Sequence, residues 1–309
     1  LVCGFGGRFN LLVILGPTAS GKTGLAVGVA RKIGGEIISA DSRQVYRGMD
    51  LGTGKDLSEY SRNGTTVRCH LIDILDPGEE FSIFAYRNLF YRAFREIRER
   101  GKIPIMVGGS GLYLEAVIKG YRLPAVPVDQ KLRDELAGEE MEFLRRRLLA
   151  LQPRVHNTTD LQDRERLIRA IEIAQSSRDR DREPGFPITL SPLVVGIRCE
   201  REALRRKITE RLRARLASGM IEEVKELHEK GLAWERIDSF GLEYRYIALY
   251  LRGVITREAL FGILNTRIHQ YAKRQETWFR RMERNGVRIH WIESSDAEAV
   301  ITLISGLTA

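Results

Sequence analysis

Gly16-Pro-Thr-Ala-Ser-Gly-Lys-Thr23 is the stretch of this chain whose residue types and spacing best suit chemistry. It has the Gly-x-x-x-x-Gly-Lys-Thr pattern of a phosphate-binding loop. The loop, Gly16, Pro17, Thr18, Ala19, Ser20, Gly21, Lys22 and Thr23, would bind through its backbone: two glycines let the chain curl until successive N–H groups point inward. A helix starting near Lys22 adds its positive dipole end. Lys22 carries a mobile positive charge for the terminal phosphate, and the Thr23 hydroxyl is placed to ligate Mg²⁺. This chemistry calls for a phosphorylated ligand and does not require that ligand to be a nucleotide.

Other residues could act beside such a loop. Asp41 and Ser42 end a short apolar run, and in open α/β sheets ligands sit beyond the carboxyl ends of strands. A carboxylate there can accept a proton, cap a helix or help hold Mg²⁺. Gly108-Gly-Ser-Gly111 is a second glycine-rich turn, in which Ser110 can cap a helix or touch a ligand. Segments 198–215 and 252–288 hold eight and nine Arg or Lys against three Glu each, together more net charge than the +9 of the whole chain. In the second, Arg267, Tyr271, Arg274, Trp278 and Arg281 recur at spacings of three and four, on one helix face. Arginines interleaved with aromatics suit a phosphate backbone and splayed bases, so nucleic acid is the expected partner, with Arg274 and Trp278 among its contacts. The competing reading is a solvated charged face with Trp278 and Phe279 in the core.

These groups need a frame. Leu-Leu-Val-Ile-Leu at 11–15 is uncharged and reads as a buried parallel strand, and 25–33 has apolar residues at helical spacing. Further strands are expected at 36–42, 67–75, 103–107, 193–199 and 287–292. Ser82 is expected to cap a helix reaching about Arg100, with Phe84, Leu89, Phe90, Phe94 and Ile97 on its apolar side. Strands alternating with helices predict an α/β fold, a P-loop NTPase-like parallel sheet with helices on both faces. Residues 129–177 are helical by pattern, and 178–192 mix charge with three prolines. The expected organisation is a first part of the core at 1–120, a helical insertion at 121–190, and a return to the core at 191–309 with basic C-terminal helices.

The 309 residues, 43% hydrophobic and 29% charged, suffice for a large core. Cys3, Cys69 and Cys199 are far apart, show no metal-ligand spacing and suit a reducing compartment. No apolar run is long enough for a membrane span, and the first residues lack an adequate signal-peptide region, which makes the cytoplasm the expected location.

Gly16-Pro-Thr-Ala-Ser-Gly-Lys-Thr23, Ile38-Ser-Ala-Asp-Ser-Arg-Gln44, Gly48-Met-Asp-Leu-Gly-Thr53, Gly108-Gly-Ser-Gly-Leu-Tyr113 and Tyr271-Ala-Lys-Arg-Gln-x-Thr-Trp-Phe-Arg280 resemble, in order and over most of the chain, the signatures of the tRNA dimethylallyltransferase family. The resemblance implies an RNA-binding, monomeric prenyltransferase of EC class 2.5.1. It would use Mg²⁺ to move a dimethylallyl group from dimethylallyl diphosphate to N6 of the adenosine just 3′ of the anticodon, with the tRNA anticodon stem-loop as partner. On that resemblance the phosphate loop holds a prenyl diphosphate rather than ATP. Asp41 matches the general base, and Thr18 matches a residue close to the reacting centre. Either Lys207 or Arg211, one helical turn apart, matches an arginine near the diphosphate. Contacts to tRNA carry over to Asp41, Ser42, Arg43, Gln44 and Ser110, and to Arg133, Glu165, Arg166 and Arg169 of the insertion. The target base must leave its stack to react.

The chain departs from the family at Phe240-Gly-Leu-Glu-Tyr-Arg-Tyr246, where a Gly-Tyr-Arg segment is usual, and at 176–184, where a Thr-Gly-Lys turn is usual. The sequence lacks the Cys/His zinc module of eukaryotic relatives, which points to a bacterial-type enzyme. A small-molecule kinase would share the phosphate loop but leave the basic aromatic helix unexplained. A prenyltransferase acting on free adenine nucleotides would share the loop and Asp41 without needing an RNA-gripping surface. An RNA-binding NTPase switch would be expected to carry Asn-Lys-x-Asp if it read guanine, and the sequence has none.

Overall fold

The computed structural model describes residues 9–62, 64–121, 126, 128–152, 161–176, 188–293 and 296–308. Cys3 and residues 177–187, most of the atypical turn and of the proline-rich segment, lie outside the described residues.

From the amino end, β1 (Leu11–Leu15) leads through the glycine-rich loop to α1 (Lys22–Ile33) and β2 (Gly35–Ala40). A small hairpin, β3 (Ser61–Arg62) and β4 (Thr65–Thr66), precedes β5 (Cys69–His70). Next come α2 (Ile83–Glu99), β6 (Ile103–Gly108) and α3 (Gly111–Ile118). Three helices follow: α4 (Gln130–Ala137), α5 (Met141–Leu151) and α6 (Arg164–Ser176). β7 (Pro192–Ile197) is followed by α7 (Arg201–Ala217), α8 (Met220–Glu229), α9 (Trp234–Ser239), α10 (Leu242–Leu251) and α11 (Arg257–Arg284). β8 (Ile289–Ile292) and α12 (Ala297–Thr308) complete the described chain.

The main sheet is parallel, in the order β5-β2-β6-β1-β7-β8. β1 is central: Leu12 lies beside Ile105 on one side and Leu193 on the other. All five of its side chains are fully buried, as a strand covered on both faces requires. Each such Leu, Ile or Val contributes about 1.5–3 kcal/mol relative to exposure. Leu12 and Ile14 share a core with Leu25, Ala26 and Val29 of α1 and with Val300 and Ile304 of α12. A second core joins Leu204, Ile208 and Leu212 of α7 to Tyr244, Ile247, Leu264 and Ile268 of α10 and α11. The second core stands beside the sheet, whose two faces are flanked by helices, with α1 and α2 both packed on β2 and β6. Helix starts follow local chemistry. The Ser82 hydroxyl accepts the Ala85 N–H at 3.1 Å before α2, and the Glu200 carboxylate accepts the Glu202 and Ala203 amides at 2.8 and 2.7 Å before α7.

The expected strand at 67–75 shrinks to Cys69–His70, paired with Ile37 and Ile38. Leu71 and Asp73 take positive φ, 63° and 53°, which no strand accommodates. Asp73 is turned to the buried Lys55 ammonium, so a tertiary ion pair overrides the apolar run. The chain returns briefly to sheet-like pairing only at the Tyr46–Leu75 bridge.

The chain forms two compact units, Leu1–Tyr121 with Thr189–Ala309, and Arg122–Ile188. In the second, α4, α5 and α6 pack Leu132, Leu136, Leu144, Leu148, Leu167 and Ile171 together. No helix among the described residues is long and apolar enough to cross a membrane.

Candidate active site

The carboxyl ends of three neighbouring strands, β2, β6 and β1, deliver the expected groups to one cavity of about 270 Å³ in the first unit. β1 supplies the phosphate loop, β2 supplies Asp41, and β6 supplies the second glycine-rich turn. Sheet order places these ends side by side although Asp41 and Gly108 are 67 positions apart in the chain.

In the phosphate loop Ala19 and Gly21 both take left-handed backbone, φ 62° and 82°, and so turn the chain back toward α1. Glycine suits the second position because it adopts that positive φ without a Cβ clash. Lys22 folds back to donate to the Pro17 carbonyl at 3.2 Å. Burial, with Arg211 nearby, lowers its pKa to about 8 against the opposing pull of Asp41 and Asp56. Such a lysine is a short step from losing its charge, and a bound polyanion would restore it. Asp41 accepts the Arg43 N–H at 2.9 Å, a local turn that aims its carboxylate into the cavity beside Thr18, Lys22 and Thr23.

Arg211, rather than Lys207, reaches the cavity. Its guanidinium donates to the Thr18 hydroxyl at 3.2 Å, whereas Lys207 is exposed. Burial, reinforced by Arg215, lowers the Arg211 pKa to about 10. Arg215 lines the same cavity and pairs with Asp56 at 3.5 Å. Ser42, Arg43 and Gln44 also line the cavity. Arg43 donates to the Ser239 carbonyl at 2.8 Å, and the Gln44 amide donates to the Gly54 carbonyl at 3.2 Å. Ser110 occupies the N-cap position of α3 without a side-chain cap bond; its hydroxyl instead meets the Tyr271 hydroxyl.

Gln275 of α11 carries a role that the pattern of arginines and aromatics does not suggest. Its side-chain oxygen accepts the Thr18 N–H at 2.8 Å, and its amide donates to the Gly109 carbonyl at 2.9 Å. One buried side chain thus joins both glycine-rich turns. Its place in the Tyr271-Ala-Lys-Arg-Gln stretch was the available signal. Glu243, in the atypical segment, also lines the cavity, and burial pushes its carboxyl up despite Arg215 and Arg211.

The expected basic face of α11 divides. Tyr271 lines the cavity, and Arg274 is exposed with its guanidinium 5.8 Å from the Tyr271 ring centroid. Trp278 and Arg281 turn to the buried Glu115 of α3: the indole N–H donates at 3.0 Å and the guanidinium at 2.6 Å. In the second unit Arg133 and Arg169 both grip Glu172, each at 2.8 Å. Burial raises the Glu172 carboxyl, but the bonds from Arg133 and Arg169 outweigh it and its pKa falls. Glu165 and Arg166 are exposed on α6.

Thr23 is a suitable Mg²⁺ ligand by chemistry, a hard hydroxyl oxygen beside a phosphate loop. Among the described residues no cluster of three or more acidic, His or Cys side chains could hold a metal alone. That donor set fits an ion that keeps waters and shares substrate phosphates, as Mg²⁺ does.

Residues 44–282 match the IPP transferase family. The chain is 55% identical over 298 residues to tRNA dimethylallyltransferase 1 of Syntrophus aciditrophicus, covering 96% of this chain and 98% of that protein. It is 58% identical over 301 residues to tRNA dimethylallyltransferase 2 of Pelobacter propionicus, covering 95% and 94%. The crystal structure of full-length tRNA isopentenylpyrophosphate transferase from Bacillus halodurans superposes with a TM-score of 0.67 at 31% identity, over 97% of this chain and 95% of that one. A phosphate loop, an acid and a second glycine-rich turn converging on one cavity, together with identity above half over nearly the whole length of these relatives, show that the chain belongs to the IPP transferase family of tRNA dimethylallyltransferases.

Proposed function

We propose that this protein transfers a dimethylallyl group from dimethylallyl diphosphate to N6 of the adenosine immediately 3′ of the anticodon in tRNA, releasing diphosphate. The observation that carries the reading is that Lys22, Thr18 and Arg211 share one cavity with Asp41 and Ser110. Cations suited to a diphosphate and a base suited to an amine thus face the same space.

In the reaction the C1–O bond of the donor breaks and its electron pair leaves on the diphosphate. The N6–C1 bond forms as the amine gives a proton to the Asp41 carboxylate. An adenine amine is a weak nucleophile, since its lone pair is delocalised into the ring, so removal of that proton matters. Lys22, Arg211 and the loop amides stabilise the negative charge that accumulates on the departing diphosphate. Thr23 would hold Mg²⁺, which supplies further charge neutralisation when bound. Thr18 sits at the junction, its hydroxyl taken by Arg211 and its N–H by Gln275. Ser42, Arg43, Gln44 and Ser110 bind the flipped nucleotide. Exposed Arg274 of the first unit, and Glu165 and Arg166 of the second, meet the RNA. Arg133 and Arg169 act there through the helix they hold as much as through direct contact.

The test uses labelled dimethylallyl diphosphate, Mg²⁺ and unmodified tRNA, with AMP as a parallel acceptor and γ-labelled ATP as a parallel donor. Label in tRNA at the adenosine 3′ of the anticodon is expected. Asp41→Ala should lower turnover by about 10²–10⁴, the usual contribution of a general base, while tRNA affinity is largely kept. Retained turnover would remove Asp41 as the base. Label only in AMP, or phosphate transfer without prenyl transfer, would replace the reading itself.

A further inference from the structure

The loop at 48–55 has no helix or strand, yet Gly52, Thr53 and Gly54 form part of the cavity wall. It is held by side chains from distant elements. A single carboxylate, Glu223 of α8, takes the Asp50 and Leu51 amides on one oxygen at 2.8 and 2.7 Å and the Gly52 amide on the other at 3.0 Å. The buried Tyr244 hydroxyl donates to Glu223 at 2.7 Å. The Tyr244 ring packs directly against Gly52, where an added Cβ would stand 2.6 Å from the ring. From below, the fully buried Lys55 ammonium donates to the Tyr46 carbonyl and to Asp50, both at 2.7 Å, and pairs with Asp73.

A carboxylate receiving four hydrogen bonds is a strong local anchor, because each is charge-assisted. The anchor has a direct route to the site. Gly54 accepts the Gln44 amide at 3.2 Å, and the Gln44 oxygen accepts the Ser39 hydroxyl at 2.9 Å. Gln44 therefore takes its place from the loop. The bonds that Thr18 and Lys22 make run to Gln275, Arg211 and Pro17 instead. Arg215, packed against Gly54, is paired with Asp56.

We propose that Glu223, braced by Tyr244, is a positioning residue for the transfer: it holds the 48–55 loop so that Gln44 and Thr53 present a fixed wall to the acceptor nucleotide. The proposal rests on the tRNA-prenylating reading for its kinetic consequence, though not for the loop's dependence on Glu223.

The test compares wild type with Glu223→Gln and Tyr244→Phe. Glu223→Gln keeps the size but loses the charge and turns an N–H toward the loop amides; Tyr244→Phe removes one bond of the four. Hydrogen exchange at residues 50–52 should quicken about tenfold in Glu223→Gln and less in Tyr244→Phe. The KM for tRNA should rise about tenfold and about threefold respectively, as expected when a contact group is misplaced rather than removed. Binding of inorganic diphosphate should stay within about twofold. A merely structural role would lower the active fraction, reducing kcat with both KM values unchanged, and that result would overturn the proposal. Unaltered exchange at 50–52 in both variants would overturn it as well, and Tyr244→Phe serves if Glu223→Gln fails to fold. If wild type prenylates no tRNA, the functional reading fails, while the exchange data still decide whether Glu223 holds the loop.

Discussion

Gln275 makes the most exacting prediction. Its side chain is 6% exposed and satisfies one backbone donor, at Thr18, and one backbone acceptor, at Gly109. Gln275→Leu would keep much of the volume and leave both groups without a partner. Each orphaned buried group costs about 1–3 kcal/mol. Because the residue borders the cavity, water can replace part of what is lost, so the lower end applies and about 2 kcal/mol of stability should go. The effect on activity should be larger. The two glycine-rich turns would lose their common tie, and misplacement on the order of 1 Å costs about 10² in rate. Gln275→Glu separates the two bonds. It keeps an acceptor for Thr18 but sets a carboxylate oxygen against the Gly109 carbonyl and a negative charge against the diphosphate. Its affinity for inorganic diphosphate should therefore fall further than that of Gln275→Leu. Thermal unfolding and steady-state prenyl transfer, with diphosphate binding by calorimetry, read these quantities. Gln275 is not the tie between the two turns if Gln275→Leu keeps kcat/KM within about twofold of wild type, or if Gln275→Glu binds diphosphate better than Gln275→Leu.

Two further predictions use the electrostatics. Burial and Arg211 hold Lys22 near a pKa of about 8, so its charge is present below that pH and lost above it. Diphosphate affinity should then decline as pH rises through about 8, and the difference between wild type and Lys22→Met should shrink over the same range; a difference constant from pH 7 to 9.5 would sink the assignment. In the second unit, Arg133→Ala or Arg169→Ala leaves the buried Glu172 with half its clamp. Each arginine is about a third exposed, so solvent moderates the loss to about 1–3 kcal/mol. Hydrogen exchange should quicken in α4 and α6 with little change in β1 or β6, and uniform quickening would contradict the assignment of the clamp to that unit.

The features legible in the amino-acid sequence are local ones. The phosphate loop was legible because its chemistry is contiguous: glycines, lysine and threonine at fixed spacing specify their own backbone path. The central strand was legible because Leu11 to Leu15 admit no exposed face, and the Ser82 cap because the N–H that its hydroxyl accepts lies only three residues on, at Ala85. The alternation of strand and helix also sufficed for the sheet class. Which distant residues close the site is settled by long-range packing. Arg211 was separated from Lys207 by the roll of α7 against α11, since four residues are close to one turn and a pattern cannot tell inward from outward by so little. Gln275 looked like one polar residue in a basic helix until β1 and β6 placed both of its backbone partners against it. Trp278 and Arg281 share one helix face with Arg274 by spacing, and it is Glu115, more than 160 residues earlier, that draws those two inward. The apolar run at 67–75 read as a strand until Lys55 drew Asp73 out of line. In each case the deciding partner lies far along the chain, and long-range hydrogen bonds and ion pairs leave no periodicity for a sequence to display.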